Sequence, residues 1–152
     1  MIADLRNPAN CLWIGFLVTC VVACGAPVSA EQEIREWLAA AEVEAEARDR
    51  RALLSRVAEG YKDGRGNDRE AIGGMLRYYF LRQRNVVLLT RIEEIELYGE
   101  SAARVTLTAA MGGSNDGGLS ADARRFVLDL ERRSSDWMLT DAKWGHLGDE
   151  PK

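Results

Sequence analysis

The chain has 152 residues, with 24 Asp and Glu against 20 Lys and Arg and a formal net charge of −4. That mildly acidic balance argues against a nucleic-acid function, which would want a basic patch. The single histidine excludes a histidine pair or a multi-histidine metal centre, and no cofactor is expected.

The chain opens with an apolar run, Cys11 to Ala23. It is short against the roughly 20 residues a membrane-spanning helix needs. It fits the hydrophobic region of a secretory signal, although Arg6 is the only basic side chain before it and Asp4 cancels that charge. The run ends in Val21-Val22-Ala23-Cys24, which resembles the lipobox of bacterial lipoproteins. The resemblance implies a signal peptide over 1–23, lipid on Cys24 as the new N-terminus, and a linker over 24–30. The membrane would then be a partner through that lipid, and the location would be the cell envelope, facing the periplasm. Val28-Ser29-Ala30 offers ordinary cleavage after Ala30 and a soluble periplasmic protein instead. An uncleaved anchor is the third reading. All three export the folded part. Cys11, Cys20 and Cys24 are the only cysteines, so the domain beyond them has no disulfide and no thiol nucleophile.

From Glu31 the pattern is helical to Arg48, with Ile34, Leu38, Ala41 and Ala45 on one stripe and Trp37 widening it. Asp49 is a good N-cap for a second helix over Arg50 to Glu59, ended by Gly60. Tyr61 to Asn67 is turn-rich around Asp63-Gly64. A third helix opens at Asn67 or Asp68 and presents Ile72, Met75, Leu76, Tyr79 and Phe80. Gly73-Gly74 inside it implies close packing against another backbone. Arg48-Asp49-Arg50-Arg51 and Arg82-Gln83-Arg84 read as solvated faces rather than binding patches, with carboxylates expected close by.

After Asn85 the period becomes two. Val86 to Leu97 reads as a strand with a slip near Glu93-Glu94, as a β-bulge produces. Ala103 to Met111 alternates cleanly and reads as a second strand. Gly112 to Ala121 reads as a loop, Arg125 to Arg132 as a third strand and Trp137 to His146 as a fourth after a Ser134-Ser135-Asp136 turn. Residues 148–152 read as a frayed tail. The layout is α+β, with three N-terminal helices packed on one face of an antiparallel sheet of four or more strands.

This order, with Arg50-Arg51-Ala52-Leu53-Leu54 leading to Tyr61-Lys62-Asp63 and a closing Trp137…Asp141…Trp144 strand, resembles the nuclear transport factor 2-like superfamily over 31–147. The resemblance implies a cone, in which a curved cystatin-like sheet wraps the first helix and leaves a pocket. Steroid-isomerase-like members place a tyrosine on the first helix, yet no tyrosine precedes Tyr61. No catalytic residue is assigned, and Asp63 and His146 are the only weak candidates for a base. Trp37, Tyr61, Tyr79, Met111 and Trp144 are candidate pocket liners, with Arg91 at the mouth. The leading expectation is a non-enzymatic envelope protein binding a small apolar ligand or a protein partner. A homodimer through the outward Thr106, Thr108 and Ala110 is a further expectation. The alternatives are a small isomerase-, dehydratase- or cyclase-like enzyme, and a pocketless structural domain.

Overall fold

The computed structural model describes residues 28–115 and 118–149. The expected signal peptide, Cys24, most of the expected linker and the last three residues lie outside them. The described part is α1 (Ala30–Glu46), α2 (Arg50–Ser55), α3 (Arg69–Arg82), β1 (Asn85–Tyr98), β2 (Ala102–Asn115), β3 (Gly118–Arg133) and β4 (Asp136–His146). The strands form one antiparallel meander in the order β1-β2-β3-β4. Helices first and strands after, packed in two layers, make this an α+β fold.

Each helix begins on a side-chain cap. Ser29, Asp49 and Asp68 accept backbone N–H groups of Gln32, Ala52 and Ala71 at 3.2, 2.9 and 2.9 Å. These satisfy donors that the first turn leaves free. The first helix stops at Glu46, short of the expected Arg48, because Arg48 turns into the left-handed region at φ 55°.

The second helix also ends early, at Ser55 rather than Glu59. The chain is captured there by the edge of the sheet. Leu139 N–H donates to the Arg56 carbonyl at 2.8 Å, and Ala58 N–H to the Leu139 carbonyl at 2.9 Å. Val57 thus pairs with Leu139 as a parallel bridge.

The expected slip in β1 is present, with the register shifting between Ile92 and Glu94. A second shift lies between Asp129 and Leu130. Two bulges bend a four-stranded sheet that would otherwise twist evenly. The expected loop over Gly112 to Ala121 is instead mostly strand. Gly112 pairs with Ala121 and Gly113 with Ser120. Glycines erase the alternation that marks a strand, but they pair through their backbone like any residue. A Cβ on Gly113 would lie 2.6 Å from Gln83 Oε1, so the missing side chain makes room for a neighbour.

The core lies between α1 and the inner sheet face. Ile34 and Leu38 meet Val105, Leu107 and Leu130, all almost fully buried. The third helix is held more loosely. Gly73 is its one buried residue, and a Cβ there would come within 3.1 Å of Leu54 Cδ1. Gly74 has nothing within 4 Å, so close packing explains one glycine of the pair. Met75, expected on the apolar inner face of α3, is instead exposed.

Candidate functional site: an apolar pocket between helices and sheet

Between the helices and the inner sheet face lies a pocket of about 290 Å³. Helix α1 contributes Trp37, Leu38 and Ala41, and α3 contributes Ile72 and Leu76. The sheet supplies Leu88, Leu107, Ala109, Met111, Phe126 and Leu128 among others. The register explains this set. Leu107 stands opposite Phe126 and Ala109 opposite Arg124, so alternate residues of neighbouring strands share one face. The volume is about twice the ~150 Å³ of an engineered apolar cavity that holds benzene, which suits a two-ring molecule.

Three liners carry polar side-chain groups, and those of Thr90 and Arg56 are already engaged. Thr90 donates its hydroxyl to Glu42 Oε1 at 2.5 Å and its backbone N–H to the same oxygen at 2.6 Å. Arg56 gives Nε and Nη2 to the two Glu44 oxygens, each at 2.6 Å. Its guanidinium also lies 5.5 Å from the centre of the Trp37 ring. The Trp37 Nε1 is buried without a hydrogen-bond partner. The pocket therefore offers a ligand apolar contact and no free acid, base or nucleophile.

The other candidate liners are placed elsewhere. Tyr61 is buried in the core, 2% exposed, with its hydroxyl 3.5 Å from Asp63 Oδ2. Burial and the nearby Asp63 and Asp141 carboxylates push the Tyr61 hydroxyl well above its ordinary pKa. Trp144 stacks on Phe126 at 6.3 Å, beside it on the same sheet face, and so flanks the pocket wall without lining it. Arg65 covers its ring at 4.7 Å. Tyr79 is half-buried beside Phe80. Arg91 is exposed opposite Thr108, which alternates with the buried Leu107 and Ala109, so Arg91 belongs to the outer face.

The two base candidates stand apart from the pocket lining. His146 is exposed at the end of β4. Asp63 is buried, but its oxygens serve the turn that leads into α3. Oδ1 accepts the backbone N–H groups of Arg65 and Asn67 at 2.9 and 2.8 Å, and Oδ2 accepts the Asn67 side chain at 2.8 Å. Burial pushes this carboxyl up, and the hydrogen bonds from Asn67, Arg65 and Tyr61 outweigh it and hold the pKa below the usual carboxylate range. Among the described residues no cluster of three or more His, Cys, Asp or Glu could hold a metal.

Sequence reasoning missed Glu42, Glu44 and Glu33. Glu33 takes hydrogen bonds from Arg132 and, at 3.0 Å, from the Trp137 indole. Nothing in a helix rich in Glu distinguishes the three that reach across to the fold from those that face water.

No protein-family model matches the chain, and no curated protein matches it. Solved structures do. An NTF2-like protein with a cystatin-like fold from Novosphingobium aromaticivorans superposes at a TM-score of 0.63 and 15% identity, covering 79% of this chain and 83% of that one. This chain has an NTF2-like fold. A protein of the same organism, provisionally named a scytalone dehydratase, superposes at 0.68 and 11% identity over 75% of this chain and 81% of its own. A conserved protein from Planctomyces limnophilus superposes at 0.65 and 17% identity over 74% and 91%. At such identities the likeness carries the NTF2-like architecture and no activity.

Proposed function

We propose that this NTF2-like chain is an exported, lipid-anchored protein of the bacterial cell envelope that binds a small apolar ligand without transforming it. The pocket carries the binding part of this reading. It has the size for a ligand of about two rings, and its polar liners Thr90 and Arg56 are spent on Glu42 and Glu44. Catalysis needs a group that reaches the reacting atom. Asp63 and His146, the candidate bases, do not line the pocket. The dehydratase name belongs to a structural neighbour, and no acid or base in this pocket is free to support that chemistry. The envelope part rests on the apolar run and Val21-Val22-Ala23-Cys24.

The test is saturable binding of an apolar naphthyl fluorophore by the purified protein, followed by native mass spectrometry for a co-purifying molecule. Binding in the wild type and its loss in Ala109→Leu, which grows a side chain into the pocket, are expected. An unliganded mass together with no binding of the fluorophore would leave a pocketless structural domain as the better reading.

A further inference from the structure

The two basic clusters of the sequence, separated by more than thirty residues, meet in the fold. Arg48 Nη1 donates to the Gln83 carbonyl at 3.2 Å, which joins the α1–α2 corner to the end of α3. Beside that contact runs a groove of about 340 Å³, lined by Ala47, Arg48, Arg50, Arg77, Phe80 and Leu81. It holds three arginines and no acidic residue. Neither the Arg50 nor the Arg77 guanidinium has a hydrogen bond or ion pair among the described residues. Asp49, the carboxylate beside them in sequence, is spent on the Ala52 N–H as the α2 cap.

The same corner is apolar. Along α3, Met75, Tyr78 and Leu81 recur every third residue and are exposed, Leu81 by 77% and Tyr78 by 61%. Arg82 lies over the Tyr78 ring, 5.2 Å from its centre, and donates to its hydroxyl. The charge is equally uneven. The whole chain has 24 acids in 152 residues, about one in six, yet residues 71–92 hold none and carry Arg77, Arg82, Arg84 and Arg91. In the fold Arg77, Arg82, Tyr78 and Leu81 gather on the exposed side of α3 beside Arg50, while Glu59, Asp68 and Glu70 lie along the adjoining groove that Arg50 and Arg77 also line.

We propose that this corner docks on an anionic lipid bilayer, with Leu81, Tyr78 and Met75 entering the headgroup boundary and Arg50 and Arg77 pairing with lipid phosphates. Exposed apolar side chains beside unpaired cations are what a membrane interface rewards. The apolar groups leave water, and each cation near an anionic surface adds to the attraction. A tyrosine with an arginine on its ring suits the headgroup depth, where one end is apolar and the other wet. The surface is separate from the pocket, so it stands or falls independently of ligand binding.

A site-specific label tests the docking and ignores what the leader does. In full-length protein carrying Cys11→Ser, Cys20→Ser and Cys24→Ser, a nitroxide is placed at Leu81→Cys or, as control, at Ser135→Cys in the β3–β4 turn. Collision with oxygen and with a water-soluble nickel chelate is read with phosphatidylcholine vesicles, with and without phosphatidylglycerol. We expect the label at 81 to move into the oxygen-rich zone only with phosphatidylglycerol, while the label at 135 stays in water. Arg50→Glu with Arg77→Glu should raise the lipid needed by about tenfold or more, and added salt should act in the same direction. A label at 81 that stays aqueous in both lipids overturns the proposal, as does docking unchanged by the charge reversals. Immobilisation of that label without vesicles, with a doubled mass in solution, would assign the face to a second copy instead.

Discussion

Glu42 on the first helix holds Thr90 on the first strand by two hydrogen bonds to one carboxylate oxygen, from the backbone N–H at 2.6 Å and from the hydroxyl at 2.5 Å. Helix and sheet are thereby fixed together at the wall of the pocket. Glu42→Ala leaves a half-buried strand N–H and hydroxyl without their acceptor. A loss of about 1–3 kcal/mol is expected in urea denaturation, with weaker fluorophore binding. Glu42→Gln should recover part of both. Unchanged stability in Glu42→Ala would show that water replaces the carboxylate at no cost.

The two glycines inside α3 should separate by mutation. Replacing a helical glycine by alanine is worth roughly 1 kcal/mol where space allows. Gly74→Ala meets nothing within 4 Å and should gain about that amount. Gly73→Ala presses on Leu54 Cδ1 at 3.1 Å, so its gain should be smaller or reversed. Equal thermal shifts for the two variants would mean that α3 gives way from α2 freely.

Asp63 should make folding sensitive to acid. Its folded pKa lies below the ordinary value, so the stability it contributes is present above the unfolded carboxylate pKa of about 3.9. That stability is lost as pH falls through the folded value. Asp63→Ala should cost about 1.5–3 kcal/mol near neutral pH, the worth of hydrogen bonds to a charged group. The variant should also flatten the acid limb of the stability–pH curve. An acid limb as steep as in the wild type would move the effect to another carboxylate.

Lipid attachment predicts that cells fed a labelled fatty acid tag the wild type and leave Cys24→Ser untagged. Equal labelling of both would defeat the assignment. If cleavage falls after Ala30 instead, the mature N-terminus read by mass spectrometry begins at Glu31.

The fold was legible wherever side-chain rhythm and caps spoke with one voice. Asp49 and Asp68 marked helix starts because a short carboxylate suits the free N–H groups there. The slip at Glu93-Glu94 marked the bulge because it shifts every later side chain to the other face. The boundaries that went astray were set by distant partners. The second helix stops where β4 takes Arg56 and Val57, and no local feature of Arg50 to Glu59 announces that edge. The glycine-rich run 112–121 hid its pairing because strands are recognised by the side chains that glycine lacks. The site followed the same rule. Trp37 and Met111 line the pocket. Tyr61 and Trp144 are aromatics of the core and its margin, as large apolar residues usually are. Ala41 and Ala109 read only as part of the helix and strand rhythm and Thr90 not at all, because a small side chain does not announce the space left beside it.

The capture of Arg56, Ala58 and Lys62 by β4 has one more consequence. The outer rim of that strand around Leu139 and Thr140 has its hydrogen-bonding groups spoken for. A stray polypeptide cannot stitch itself on there as an extra ribbon, so the sheet does not offer that side as a template for runaway assembly. Growth into larger complexes is left to the broad outer face of the sheet, to the β1 edge at its other end or to the helical flank.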